Sequence, residues 1–367
     1  MKIAYINGIC KKYDAISNAI RNEMYWLIEA GHEVCLFAYT CDHVDLPFIQ
    51  VEKESDIIFH QFFQSCDLAV FHFGVYYPLF NLLPVVPKYA KRIVVFHNIT
   101  PKEFLPSSNH NLIDRSFSQM TNISFADYVI CDSEINQGVL KEAGVLLPSI
   151  VIPLSFQSKL QTPLQKPSFD DNIVRIVFLS RFVKSKGLTD LLEALSKVMA
   201  EEGNLQIQID FIGNLDFSDK HIVNKVQVFT ESIQTQFFNR ITAKIHGSVS
   251  EVDKEKILYN SDLLVLPTYH EGFCIPILEA LSSGCLVVTY DNSNTPAISG
   301  GLATLVPTGN INYLAQAMMD NIFLVLASHW QCCGYLHRLT EINTHIDQFS
   351  PNVVKQQYLE FINRQCG

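Results

Sequence analysis

Two consecutive α/β domains, each built on a parallel sheet, are predicted by three features of the sequence. Its strand candidates read as continuous apolar runs, the pattern of strands covered by helices on both faces. Those runs alternate with amphipathic helical stretches. The same grammar restarts after a polar break, and 367 residues are long for one core.

The elements follow in order. Ile3–Ile6 reads as the first strand, and Ile16–Ala30 as a helix with Ile16, Ile20, Met24 and Leu27 at helical spacing and Gly31 as its stop. Glu33–Ala38, Leu68–His72, Arg92–His97 and Asp127–Cys131 are further strands, and Asn111–Phe125 and Glu134–Ala143 later crossover helices. Residues 155–172, polar and non-periodic with two prolines, form the linker. Ile173–Leu179 then reads as a strand, Thr189–Ala200 as a helix, and Ile207–Ile212, Ala243–His246 and Leu263–Leu266 as strands with helices between them. Ile275–Ser283 is a helix closed by Gly284, Cys285–Thr289 a strand, and Pro351–Arg364 a last helix. The predicted domains are 1–158 and 173–345, with 350–367 as a C-terminal helix returning to the first domain.

Composition narrows the partners. A net charge of −10 argues against broad nucleic-acid binding, which needs a basic face for phosphates. The ten cysteines include no CxxC pair, so zinc-ligand spacing is absent and a reducing compartment is expected. No stretch approaches the ~20 apolar residues of a membrane span. The expected location is cytoplasmic, with peripheral contact at the cytoplasmic face of the inner membrane. The apolar segment Val75–Val86 could serve that contact, but it reads first as core.

Ligands of open parallel sheets bind beyond the carboxyl ends of the strands, and two such domains facing each other make a cleft. Two signals stand at strand ends. In 267–284, Glu271 follows the strand Leu263–Leu266, Gly272 permits a tight turn, and Pro276 suits a first helical turn. The amides of Phe273, Cys274 and Ile275 then lie at a helix N-terminus, which favours anions and polar oxygens. Glu279 falls eight residues beyond Glu271, up to ~12 Å away along a helix direction, which suits two hydroxyl-bearing ends of one elongated ligand. In 180–187, Arg181, Lys184, Lys186 and Gly187 occupy a strand-to-helix loop. Three cations there fit a diphosphate, although taken alone such a loop is more often only solvated. A nucleotide diphosphate sugar needs both sets of groups.

This combination, with His246-Gly247-Ser248-Val249 between the two signals, resembles the retaining glycosyltransferases of family 4. The resemblance is dense over about 173–310 and thinner over 1–155. It implies the GT-B fold: two Rossmann-like parallel-sheet domains facing across a cleft. It implies that Arg181 and Lys186 neutralise the donor diphosphate, that Glu271 binds the donor sugar, and that His97 lies near the transferred sugar, these four forming the catalytic set. On the donor, Glu279 would hold the ribose hydroxyls, Val249 would meet the nucleobase through its backbone, and the amides at Phe273, Cys274 and Ile275 would touch sugar or phosphate. Gly8 would let the diphosphate approach. Three departures stand out: Cys274 replaces a usual glycine, no second glycine follows Asn7-Gly8, and Asn292–Ala297 lacks the acid common after the preceding strand.

The implied reaction moves a hexose from a nucleotide diphosphate sugar to an acceptor hydroxyl, on a saccharide or lipid-linked saccharide, with retention. Bacterial surface polysaccharide synthesis (O-antigen or capsule) is the setting by fold-level analogy. No DxD sequence occurs, so no metal site and no cofactor beyond the donor is expected. A nucleotide-sugar epimerase of the same fold accounts for a diphosphate site but less well for the two glutamates. A non-catalytic nucleotide-sugar-binding subunit is disfavoured by the intact Arg181, Lys186, Glu271 and Glu279. His72 reads as a rim candidate, and His246 and His270 as packing residues.

Overall fold

A computed structural model describes residues 1–12, 14–157, 172–327 and 338–366. The linker reading over 155–172 falls outside them from 158 to 171, as do Cys332 and Cys333. The chain divides into two compact units: Met1–Lys102, Pro106–Gln157 and Phe349–Gly367 form the first, and Glu103–Leu105 with Ser158–Gln348 the second.

The first unit holds strands β1 (Lys2–Ile6), β2 (Ile9–Cys10), β3 (Glu33–Ala38), β4 (Thr40–Cys41), β5 (Phe48–Gln50), β6 (Leu68–Phe73), β7 (Lys91–Phe96), β8 (Tyr128–Cys131) and β9 (Ser149–Val151). Seven form one sheet in the order β5-β3-β1-β6-β7-β8-β9, and β2 pairs with β4 apart from it. Every pairing is parallel, as the continuous apolar runs require. The order turns back at β1, which lies between β3 and β6, so the unit has a topological switch point there. The helix Ala15–Glu29 starts where Asp14 accepts from the Ser17 amide at 2.9 Å, and it buries Ile20, Met24 and Leu27. The C-terminal helix Pro351–Cys366 belongs to this unit and sends Val354, Tyr358, Phe361 and Ile362 into the same core.

The second unit holds β10 (Ile173–Leu179), β11 (Gln206–Ile212), β12 (Ile241–Gly247), β13 (Leu263–Leu266), β14 (Leu286–Asp291) and β15 (Thr304–Pro307). They form a parallel sheet in the order β12-β11-β10-β13-β14-β15, whose switch point lies between β10 and β13.

Three departures from the expected elements have local causes. The helix expected over Asn111–Phe125 is α-helical only over His110–Gln119 and continues as a 3-10 helix, Met120–Phe125. There the Thr121 hydroxyl bonds the Ser118 carbonyl and the Ser124 hydroxyl the Thr121 carbonyl, local bonds that compete with the α-helical ladder. Val75–Val86 contains a 3-10 helix, Pro78–Val85, that buries Leu79, Phe80, Leu82 and Leu83, so most of its apolar surface is core. Three strands of three or four residues (β5, β9 and β15) all lie at sheet edges, too short to show a pattern. Among the described residues no helix is long and apolar enough to cross a membrane.

Candidate functional site

The switch point of the second unit brings the two sequence signals together, because the loops leaving β10 and β13 start side by side. Val183 precedes a 3-10 turn, Lys184–Lys186, which ends on Gly187 at φ +63°. A Cβ on Gly187 would stand 1.8 Å from the Pro267 carbonyl oxygen, so only glycine lets the two loops touch. The loops are then stitched by the Tyr269 amide donating to the Ser185 carbonyl at 2.8 Å. The Lys186 ammonium donates to Glu271 Oε1 at 2.7 Å, with both side chains largely buried. Tyr269 and Tyr290 both donate to Asp190 Oδ2 at 2.6 Å, which ties the loop to the helix Leu188–Glu201. Burial and that carboxylate push the Tyr269 phenol up to about 12.

Arg181, by contrast, is exposed, and among the described residues its guanidinium bonds no other group. It is the open cation of this site, while Lys186 already carries a carboxylate. His270 is held down to about 4 by burial, against the pull of Glu271, and stays neutral at physiological pH. Cys274 adopts φ +80° in the left-handed region as N-cap of the helix Ile275–Ser282. The glycine that the resemblance leads one to expect is thus explained by conformation, and cysteine holds the same strained geometry with its thiol buried and pushed upward. Pro276 stands in the first turn as expected.

Glu279 does not stand alone. Lys254 of the helix Glu251–Asn260 bridges it at 2.7 Å and Glu251 at 2.8 Å. Burial opposes the charge on Lys254, but the two carboxylates hold its ammonium above its usual range. Burial pushes the Glu279 carboxyl up against the attraction of Lys254. Val249 sits half-buried in the loop after β12, two residues past Gly247 at φ +68°. Sequence reasoning missed Lys254, whose only signal was a helix start capped by Ser250. It also missed what replaces the absent acid: the Ser293 hydroxyl accepts the Glu271 amide at 3.0 Å, and Asn294 donates to the Phe273 carbonyl at 2.9 Å.

In the first unit, Gly8 follows β1 beneath Tyr77, whose Cβ would lie 3.2 Å from an added Cβ. His97 lies just past β7 and is 8% exposed. Its Nδ1 meets Asp132 Oδ2 at 2.6 Å and its Nε2 meets His72 Nδ1 at 2.8 Å, so both ring nitrogens are occupied. The next residue, Asn98, takes φ +69° and turns the chain away. His72, a rim candidate by sequence, is 2% exposed and is His97's partner in the core.

Residues 173–322 match the family model described as Glycosyl transferases group 1. That segment, about two fifths of the chain, is similar to the family. The second unit holds the whole matched segment, including every donor-side residue named above except Gly8. The chain is 26% identical over 212 residues to the poly(glycerol-phosphate) alpha-glucosyltransferase of Bacillus subtilis (strain 168), covering 56% of this chain and 28% of that protein. It is 24% identical over 187 residues to the 2-deoxystreptamine N-acetyl-D-glucosaminyltransferase of Niallia circulans, covering 50% and 43%. The chain thus spans 28% and 43% of the length of these curated relatives. Among solved structures, it resembles Anabaena Alr3699/HepE in complex with UDP-glucose, with a TM-score of 0.73 at 16% identity over 99% of this chain and 100% of that one. The chain has the GT-B fold.

Proposed function

We propose that the chain is a retaining glycosyltransferase that moves a hexose from a nucleotide diphosphate sugar to an acceptor hydroxyl. The observation that carries this is the switch point of the second unit. There the Lys186–Glu271 pair, the exposed Arg181 and the N-terminus of the helix Ile275–Ser282 converge from two adjacent loops. A cation for phosphate, a carboxylate for sugar hydroxyls and helix-end amides for oxygens are the groups such a donor needs. In this reading Arg181 and Lys186 stabilise the departing diphosphate, Glu271 orients the hexose, and Glu279, with Lys254, binds the ribose. His97 and Gly8 serve the sugar and diphosphate from the first unit.

The bond from the anomeric carbon to the diphosphate breaks, and the acceptor oxygen bonds on the same face. The acceptor's proton passes to the leaving phosphate. Catalysis rests mainly on charge stabilisation of that leaving group. The donor complex of Alr3699/HepE makes UDP-glucose the first donor to test. The acceptor is a saccharide, free or lipid-linked, in surface polysaccharide assembly, and the protein works in the cytoplasm or on the cytoplasmic face of the membrane. The reaction proceeds without a divalent metal, so activity should survive EDTA, and strict dependence on Mn²⁺ would refute that part.

Incubation with radiolabelled UDP-glucose and related nucleotide sugars tests the reading. Transfer to a saccharide acceptor, or slow donor hydrolysis, supports it. Epimerised nucleotide sugar, or binding without turnover, overturns it.

A further inference from the structure

A relay of hydrogen-bonded side chains crosses the interior of the first unit. Asp132 Oδ2 meets His97 Nδ1 at 2.6 Å, and His97 Nε2 meets His72 Nδ1 at 2.8 Å. His72 Nε2 meets Glu23 Oε2 at 3.0 Å, and Glu23 Oε2 accepts from the Tyr5 hydroxyl at 3.1 Å. The Tyr5 hydroxyl meets the Tyr358 hydroxyl at 2.6 Å. All six side chains are under 10% exposed. They come from four strands or strand ends and two helices, the last being the C-terminal helix.

The proton count follows from the partners. Each histidine faces one carboxylate and the other histidine. An acceptor-only carboxylate requires an N–H on the nitrogen facing it, so His97 Nδ1 and His72 Nε2 both carry protons. The two remaining nitrogens lie 2.8 Å apart, and a hydrogen bond between them needs one more proton. With both carboxylates ionised, that proton makes the histidine pair singly positive. The rings meet edge to edge, their planes 19° apart and their centroids 5.0 Å apart, and Gly74 lets them pack, since an added Cβ there would crowd His97 Cβ and the Asn98 carbonyl at 3.3 Å. Around the pair stand the carboxylates of Asp132, Glu23 and Asp14 and the phenols of Tyr5 and Tyr358.

We propose that Asp132, His72 and Glu23 are positioning residues that hold His97 and His72 as one buried, singly charged imidazole–imidazolium pair behind the end of β7. The positive pair then acts at the strand end through its field. Its nitrogens all point inward, and any direct contact with a ligand is left to the backbone at 97–98. Burial disfavours the charge, but Asp132, Glu23 and Asp14 outweigh it and raise the His97 pKa. Tyr358 makes the C-terminal helix part of the same device. This inference rests on the reading of His97 given under Proposed function.

The test is nitrogen NMR on the full-length chain with ¹⁵N-labelled histidine. Three of the four ring nitrogens of His72 and His97 should carry protons at neutral pH. Two protonated nitrogens, a neutral pair, would overturn the proposal. Glu23→Gln and Asp132→Asn each remove one carboxylate without changing shape, and either should lower the pH midpoint of the extra proton by about one pH unit or more. An unchanged midpoint in folded Glu23→Gln, folding being checked by circular dichroism, overturns it as well. Glu23→Gln should also lower kcat about tenfold while KM for the nucleotide sugar changes less than about twofold. The ring signals need no transfer assay. A charged pair in a protein without transferase activity would overturn the proposed function and leave the pair standing. Transfer by a protein with a neutral pair would do the reverse.

Discussion

The two units carry their charged groups in opposite ways. In the first, Asp132, His97, His72 and Glu23 bond one another, and none is more than 9% exposed. In the second, Lys186–Glu271 and Lys254–Glu279 form separate, largely buried pairs, and Arg181 stands exposed in the same loop as Lys186. Each set joins residues at or near the carboxyl ends of parallel strands to residues on helices. The difference is what their polar atoms are left to do. Atoms that satisfy each other in the core can set charge and position, whereas an exposed guanidinium can bind.

The sharpest way to break the comparison is at Gly187. Alanine there must displace the Pro267 carbonyl from a position 1.8 Å away and hold φ +63°. It should destabilise the second unit by roughly 3 kcal/mol or more and separate the two loops. Thermal unfolding checks this, and an unshifted melt would mean that the loops are not stitched as described.

Arg181→Ala and Lys186→Ala come next. Each should lower turnover on the order of 10²-fold or more, measured with saturating donor. Near-wild-type turnover of Arg181→Ala would remove the exposed cation from the chemistry.

A pH effect follows in size. The His270 pKa is about 4 in the folded chain, below its ordinary unfolded value of about 6.5. Between those values the unfolded state binds the extra proton, so stability is lost as pH falls through the window. From pH 7 to 5 the loss is about 2 kcal/mol, and His270→Gln should remove that part of the acid sensitivity in denaturant melts at the two pH values. Equal acid sensitivity of variant and wild type would show that His270 is not the group responsible.

The smallest change is Tyr358→Phe. It deletes one hydrogen bond of the buried relay and should cost about 1 kcal/mol in the first unit. A loss of several kcal/mol would show that the C-terminal helix depends on that hydroxyl more than the geometry indicates.

Much of this was legible in the residues. Continuous apolar runs mark strands covered on both faces, and they located the central strands of both sheets to within a residue or two, with Ile173–Leu179 and Leu263–Leu266 matching at both ends. Arg181, Lys186 and Glu271 were readable because each lies in the loop that leaves such a run, and position after a strand is a local property. Lys254 was not: its partner is 25 residues away in sequence, and nothing in a helical lysine distinguishes a buried pair from a solvated one. The same holds for Ser293 and Asn294, which support the Glu271 loop from across a strand.

Alternation of apolar runs and helices determined, from sequence alone, that the chain forms parallel sheets, and glycine and charge at strand ends marked where a ligand site would form. Which polar atoms would be spent inside the protein was decided only by the tertiary structure. His97 and His72 are 25 residues apart, and Tyr5 and Tyr358 are 353 apart. Hydrogen bonds at such separations depend on strand order and helix packing, which no local pattern records.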